Sequence, residues 1–318
     1  MKGTTDKNLT DLDLGSHQTA ETPGVMHTLQ QYYALTKPRV VALIMFTAVV
    51  GMFLSTPGMV PLDILFLGTL GIGLAAAAGA AANHVLDQRA DVVMGRTQRR
   101  PLPTGQLNTA QALSFAVALA VVSMLVLIAW INPLTAILTF ASLIGYAVVY
   151  TVFLKHWTPQ NIVIGGAAGA APPVLGWVAV TGEVSADALL LFLIIFCWTP
   201  PHFWALALYR RQEYAQAGIP MLPVTHGDKF TRLHILLYTL LLAAISIMPF
   251  ATKMSGLIYL IGAVILNIQF ISYAVRLYFR YDDILAKRTF GFSIQYLAML
   301  FALMLVDHYR GTLIGFFA

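Results

Sequence analysis

Nine long apolar stretches constrain the fold of this chain more than any other feature. Each is close to the roughly 20 residues that cross the core of a bilayer as a helix. Of the 318 residues, 58% are hydrophobic and only 10% are charged, too few charges to cover a soluble domain. The pattern predicts an all-α, polytopic membrane protein with nine transmembrane helices. These are expected near residues 40–57, 63–83, 110–131, 133–153, 161–180, 187–209, 233–250, 256–276 and 290–307.

The first 26 residues differ from the rest of the chain. They are rich in Thr, Asp and Gly and contain no apolar run, which predicts a disordered cytoplasmic tail. A single transmembrane domain is expected over residues 27–318. The tail has no basic segment followed by an apolar segment, so no cleavable signal peptide is expected. Because the tail is acidic and lacks arginine, a mitochondrial transit peptide is disfavoured. The expected location is a bacterial cell inner membrane.

The basic residues predict the orientation of the helices, because lysine and arginine accumulate in cytoplasmic loops. With nine spans and a cytoplasmic N-terminus, the C-terminus is periplasmic. Of the 19 Lys and Arg residues, all but Lys253 and Arg310 then lie on the cytoplasmic side. The long charged loops 88–109 and 210–232 both fall there. The net charge of +5 therefore reflects topology, and the sequence contains no nucleic-acid-binding motif.

Small residues and prolines in the fifth and sixth spans predict local packing. Gly165 and Gly169 have the spacing that lets membrane helices approach closely. Pro172 and Pro173 are expected to break the fifth span, because neither has an N–H group to donate. Cys197 is the only cysteine and lies in an apolar run, so an inert, buried thiol is expected.

A first polar motif lies where the second span ends. Asn83, Asp87 and Asp91 recur every four residues, about 1.1 helical turns, which places them on one helix face. Carboxylates at a helix C-terminus are disfavoured and need a compensating cation. Mg²⁺ prefers oxygen ligands and commonly bridges carboxylates to phosphates. The motif therefore favours a metal–diphosphate site over a solvated helix end. Three arginines that follow are candidate phosphate donors: Arg96, Arg99 and Arg100.

A second polar segment covers residues 198–223. His202 and Trp204 lie within the sixth span, where an ionisable side chain is a functional candidate because its burial is costly. Tyr209 and Glu213 repeat the four-residue spacing at the cytoplasmic end of this span. The segment therefore predicts a second cluster of functional residues on the same side of the membrane as the first.

These segments resemble a known family. The Asn-x3-Asp-x3-Asp motif and the Arg-Pro-Leu-Pro sequence at residues 100–103 are similar to the first signature of the UbiA-type intramembrane prenyltransferases. Residues 161–177 and 198–223 are similar to the branch of that family that transfers a farnesyl group to haem. The resemblance covers essentially residues 30–310. It implies nine helices around a central cavity that opens to the cytoplasm.

The resemblance also implies an activity and the residues that carry it. Farnesyl diphosphate and haem B are the expected substrates, Mg²⁺ the cofactor, and haem O and diphosphate the products. The bilayer and an enzyme that converts haem O to haem A are the expected partners. The implied catalytic and metal-binding residues are Asn83, Asp87, Asp91 and Glu213. The implied substrate-binding residues are Arg96, Arg99, Arg100, Lys155, His202, Trp204, Tyr209 and Arg210.

Other functions are compatible with parts of the sequence. A quinone-pathway prenyltransferase would act on a small aromatic acid and would not need His202. A transporter would suit nine spans with broken helices, but its site would lie near the membrane midplane. A structural role in oxidase assembly leaves the acidic spacing unexplained. Three roles for His202 are open: ligation of haem iron, a hydrogen bond to a propionate, and deprotonation of a water molecule.

Overall fold

The computed structural model describes residues 24–310, and within them the chain forms fifteen α-helices. Helices α5 and α6 continue into π-helical segments at Leu127–Ile131 and Gly145–Leu154. The α-helices are α1 (Val25–Leu35), α2 (Pro38–Leu54), α3 (Leu62–Leu86), α4 (Gln88–Val93), α5 (Thr109–Val126), α6 (Pro133–Ile144), α7 (Lys155–Trp157), α8 (Asn161–Ala170), α9 (Pro172–Thr181), α10 (Ala186–Tyr209), α11 (Arg211–Gln216), α12 (Leu222–Thr225), α13 (Gly227–Ala251), α14 (Leu257–Phe279) and α15 (Asp283–His308).

The membrane spans confirm the predicted fold class. Eight stretches of helix are long and apolar enough to cross a bilayer, and the pair α1–α2, bent by 53°, can supply a ninth. Each predicted span falls on one of these segments. Most of the predicted tail, residues 1–23, lies outside the described residues. Helix α1 begins at Val25, ahead of the predicted domain boundary at residue 27.

Close backbone contacts surround the fifth span. Helix α8 ends at Ala170 and α9 begins at Pro172, which confirms the predicted break. Helix α9 packs tightly on α2, since a β-carbon at Gly51 would lie 2.1 Å from the carbonyl oxygen of Pro173. A larger residue at position 51 would therefore force the two backbones apart.

The predicted small-residue contact in α8 is right at one position and wrong at the other. A β-carbon at Gly165 would lie 2.1 Å from the ring of Tyr150, so this glycine does admit a close neighbour. Gly169 has open space where its β-carbon would be, so nothing packs against it there. Cys197 is a free, buried thiol, as predicted.

The buried side chains of residues 24–310 form four clusters, and two of them contain residues of the second polar segment. One includes Trp177, Tyr259 and Phe301. The other includes Met94, Trp204, Tyr214 and Leu222, and lies where loops 88–109 and 210–232 emerge. We call this end of the bundle the motif end. Because one buried cluster contains residues of both loops, the two polar segments meet there.

Candidate active site

The first polar motif lies on one helix face, as its spacing predicts. Helix α3 ends at Leu86, Asp87 caps it, and Asp91 lies in α4. Helical hydrogen bonding continues through this junction: the Asp87 N–H donates to the carbonyl oxygen of Asn83, and the Asp91 N–H to that of Asp87, both at 2.9 Å. The three side chains are only 5%, 7% and 3% exposed for Asn83, Asp87 and Asp91. This burial excludes the solvated helix end.

Each buried carboxylate is held by one cation. Lys155 Nζ lies 2.6 Å from Asp87 Oδ1, and Arg100 Nη1 lies 2.7 Å from Asp91 Oδ2. The other oxygen of Asp87 accepts a hydrogen bond of 2.8 Å from Asn83 Nδ2. The structure thus brings together Asn83, Asp87, Asp91, Arg100 and Lys155, although 68 residues separate Asp87 from Lys155 in sequence.

Lys37 is a site residue that the sequence analysis missed. Its Nζ donates a hydrogen bond to Asn83 Oδ1, and its backbone has φ 49° and ψ 58°, in the left-handed region. The available signal was a lysine directly before Pro38, where the first long apolar helix begins. A lone lysine far from the acidic motif in sequence has no spacing that links it to Asn83.

The second polar motif forms its own ion pair. Arg210 donates to Glu213 one turn along α11 and lies over the ring of Tyr209, 5.6 Å from its centroid. The hydrogen bond that Arg210 donates to Glu213 raises the pKa of Arg210. The second carboxylate oxygen of Glu213 is buried and has no hydrogen-bond partner among the described residues. This oxygen is an acceptor left open for a ligand.

Arg96 lies near Tyr214 of the second motif. Burial raises the pKa of the Tyr214 hydroxyl on α11, and the nearby guanidinium of Arg96 opposes that rise. Arg96 and Arg99 are both exposed, and neither forms a salt bridge within residues 24–310. Of the three predicted arginines, Arg100 therefore contacts the acidic motif directly, while Arg96 reaches towards the second motif.

The donor set fits a hard divalent cation at the first motif. All side chains that could ligate an ion there offer oxygen, which Mg²⁺ prefers. Across residues 24–310, however, no three His, Cys, Asp or Glu side chains come close enough together to hold a metal. Glu213, the acidic residue expected in the second motif, therefore does not join Asp87 and Asp91 in one carboxylate cluster. Each motif presents its oxygens separately.

His202 has a defined partner and a defined tautomer. The Ser293 hydroxyl donates to the carbonyl oxygen of Phe290 at 2.6 Å, and its oxygen lies 2.6 Å from His202 Nδ1. Because a hydroxyl has one proton and a carbonyl can only accept, Nδ1 must donate to Ser293. A neutral His202 then carries its lone pair on Nε2. The ring stacks between Trp198, at 4.2 Å, and Phe290, at 4.5 Å.

Trp204 and Tyr209 differ in their surroundings. Trp204 is 0% exposed and packs edge-on against His234 and Tyr238 of α13. It belongs to the buried cluster at the motif end, so the structure gives it a packing role and no surface for a substrate. Tyr209 is only half-buried and lies 6.5 Å from Phe290 between ring centroids. Its ring therefore extends the aromatic surface around His202.

Known proteins are similar to this chain in sequence over most of its length. The model of the UbiA prenyltransferase family matches residues 44–303. The protoheme IX farnesyltransferase of Nitrosospira multiformis is 63% identical over 281 residues, which cover 88% of this chain and 94% of the relative. The enzyme of the same name from Thioalkalivibrio sulfidiphilus is 64% identical over 280 residues, covering 88% and 93%.

Solved structures share the fold at lower identity. A structure of digeranylgeranylglyceryl phosphate synthase is similar with a TM-score of 0.75 and 19% identity, covering 89% of this chain and 99% of that one. A UbiA homologue from Archaeoglobus fulgidus, bound to DMAPP and Mg²⁺, has a TM-score of 0.62 and 19% identity, covering 86% and 99%. These likenesses establish the helical architecture.

Proposed function

The chain belongs to the UbiA prenyltransferase family, and on that premise we propose that it transfers a farnesyl group from farnesyl diphosphate to haem B. A haem vinyl group receives the farnesyl carbon, water adds, and haem O and diphosphate leave. The observation that carries this proposal is the buried cluster of Asn83, Asp87 and Asp91 with its cations, in a chain about 60% identical to relatives named for this activity. A multi-pass membrane enzyme suits two membrane-soluble substrates.

The first motif is the proposed diphosphate site. Asn83, Asp87 and Asp91 would hold Mg²⁺ there, and Glu213 would be the acidic residue of the second motif. When bound, Mg²⁺ supplies positive charge that stabilises the diphosphate as the allylic C–O bond breaks. The A. fulgidus homologue, which shares this fold and binds DMAPP together with Mg²⁺, supports this assignment.

Cationic side chains have a separate task at this site. Lys155 and Arg100 neutralise Asp87 and Asp91 before the substrate arrives, and both have donors that can turn to phosphate oxygens. Arg96, Arg99 and Arg210 are the further cations that would hold the outer phosphate oxygens. The stabilisation that these cations provide increases as the leaving group becomes more negative. They therefore stabilise the transition state more than the bound substrate.

The aromatic group around His202 is the proposed acceptor side. Trp198, Phe203, Phe290 and Tyr209 present ring faces and edges that can stabilise an allylic cation. The tautomer of His202 favours two of its three open roles. A lone pair on Nε2 can ligate haem iron or accept a proton from the quenching water, whereas a hydrogen bond to a propionate would need an Nε2 proton. Ligation of the iron is the role that also orients the vinyl group.

The location and partners are part of the same proposal. The loops of the motif end are the basic ones, which supports a cytoplasmic motif end, a cytoplasmic N-terminus and a periplasmic C-terminus in a bacterial inner membrane. Haem O is a membrane-soluble product, and an enzyme that oxidises it to haem A is the expected next partner.

The proposed function is tested by comparing two prenyl acceptors. Purified protein in detergent is given farnesyl diphosphate and Mg²⁺ with either haem B or 4-hydroxybenzoate, and the products are identified by mass spectrometry. We expect a farnesylated, hydrated haem and no prenylated benzoate. Prenylation of the benzoate alone would replace this proposal with a quinone-pathway activity.

A further inference from the structure

Lys37 differs from the other cations at the first motif. Lys155 is paired with Asp87 and Arg100 with Asp91, one cation to each carboxylate. The ammonium of Lys37 instead donates a hydrogen bond to the amide oxygen of Asn83, which carries no net charge. Within the described part of the chain, the cluster therefore contains one more cation than its carboxylates can neutralise.

The backbone at Lys37 is held in an unfavourable conformation. With φ 49° it is one of two non-glycine residues with positive φ between residues 24 and 310. Glycine or asparagine is the usual occupant of such a position, because a β-carbon is strained there. A lysine at this point suggests that its side chain, rather than its backbone, is what the site uses.

This conformation aims the side chain at the motif. The Lys37 N–H donates to the carbonyl oxygen of Ala34 at 3.3 Å and ends α1, while its own carbonyl accepts from Val40 at 2.9 Å and begins α2. Both backbone groups are satisfied even though α1 and α2 meet at 53°. The bend therefore fixes the point from which the flexible side chain reaches Asn83.

We propose that Lys37 is a further diphosphate-binding residue. On substrate binding its ammonium exchanges the amide oxygen of Asn83 for a phosphate oxygen, and this exchange frees Asn83 Oδ1 for the divalent cation. The inference rests on the proposed function, since it requires a diphosphate beside Asp87 and Asp91. A bound diphosphate would supply the negative charge that pairs with Lys37. A lysine binds such a group as a compact, mobile point charge.

Arg39 provides a matched control. It lies two residues further on, at the start of the same helix, and its side chain is exposed. Lys37→Met and Arg39→Met each remove one positive charge from this end of α2, so long-range electrostatic effects on an anionic ligand are similar in the two variants. Only the first variant removes a donor that contacts the motif.

Binding of farnesyl thiolodiphosphate, an analogue that ionises very slowly, measures the effect without turnover. Calorimetric titrations with Mg²⁺ are compared for the wild type and both variants, and haem B is titrated separately. We expect Lys37→Met to bind the analogue at least about tenfold more weakly, as for loss of a charged hydrogen bond. Arg39→Met should remain within about twofold of the wild type, and haem B affinity should be unchanged in both.

Three outcomes would overturn the assignment. Equal analogue affinities in Lys37→Met and Arg39→Met would show that the ammonium makes no direct contact. Parallel losses of analogue and haem affinity, with a lower melting temperature, would give Lys37 a purely structural role. If Lys37→Met does not fold, Lys37→Gly removes the same ammonium and relieves the backbone, and normal affinity in that variant would refute the proposal. A wild type that does not bind the analogue would instead refute the proposed function itself, and the role of Lys37 with it.

Discussion

Asp87 and Asp91 show how burial and pairing act together on single residues. Each carboxylate is less than one-tenth exposed and is held by one cation within 2.7 Å. Removing a partner from a buried charge is costly, because the remaining charge keeps its desolvation penalty without its attraction. Loss of Lys155 or Arg100 would therefore leave a buried carboxylate without its partner.

Substitution of these two residues should affect catalysis far more than folding. We expect Asp87→Asn and Asp91→Asn each to lower turnover by more than tenfold, about 1.4 kcal/mol of barrier, because an amide cannot supply the lost charge. Asp63→Asn, at the exposed start of the same α3, should have normal activity. Turnover is measured as diphosphate release from purified protein of verified fold. A motif variant with near-normal turnover would remove its residue from the metal site.

His202 gives a prediction that separates haem from a small acceptor. Because its Nε2 lone pair is the proposed iron ligand, His202→Ala should weaken haem B binding and shift the Soret band, while binding of farnesyl thiolodiphosphate stays nearly unchanged. His234→Ala removes a histidine from α13 and serves as the control. The two are compared by haem titration followed in the visible spectrum. Identical spectra for the wild type and His202→Ala would restrict His202 to packing between Trp198 and Phe290.

Helices α2 and α9 are in close backbone contact. Gly51 and Gly176 lie on these two helices, and a β-carbon at either would come within 2.1 Å of a backbone carbonyl oxygen of the partner helix. Backbone atoms cannot rotate away as a side chain can. The broken fifth span is therefore fixed against α2, whose first residues adjoin Lys37 and the first motif.

Alanine substitutions test this contact. Gly51→Ala should destabilise the protein by roughly 1–3 kcal/mol, the usual cost of overpacking a filled site. Gly169→Ala is the matched control, since open space surrounds that position in α8 and alanine favours a helix. Thermal unfolding in detergent compares the two variants. Equal melting temperatures would mean that α2 and α9 can separate at no cost.

The sequence located every span but not the ends of several. Apolar length decides where a chain crosses a membrane, so hydropathy alone was sufficient for position. Hydropathy did not predict the helix ends that polar groups stabilise. The last span was expected from residue 290, yet α15 begins at Asp283 because the Asp282 side chain accepts from the Leu285 N–H at 2.7 Å. Capping bonds of this kind extend a helix beyond its apolar part.

At the scale of the whole molecule, the site depends on contacts that local patterns do not encode. The spacing of Asn83, Asp87 and Asp91 predicted their shared face, and family resemblance supplied Lys155. Lys37 could not be found in this way, because only the fold places it beside Asn83. The resemblance likewise placed Glu213 in the second motif but did not indicate its partner there, which is Arg210. Spacing predicts neighbours within a helix but not between helices.

Topology gives a prediction for the entire chain. In a variant whose buried Cys197 is replaced by alanine, single cysteines at Gln98 or Gln216 should resist an impermeant thiol reagent added to intact spheroplasts. A cysteine at Lys253 should react, because it lies in the opposite set of loops. Labelling at Lys253 and at Gln98 or Gln216 therefore compares the two faces of the membrane in one assay. Labelling at Gln98 or Gln216 from outside would invert the proposed orientation.

In the proposed function, one site couples the loss of diphosphate to the farnesylation of haem. Diphosphate release and haem O formation are measured together in the purified protein with farnesyl diphosphate, haem B and Mg²⁺, then after chelation and again after Mg²⁺ is restored. We expect equal amounts of both products, loss of both on chelation, and recovery of both. Full activity in excess chelator, or diphosphate release without haem O, would contradict it.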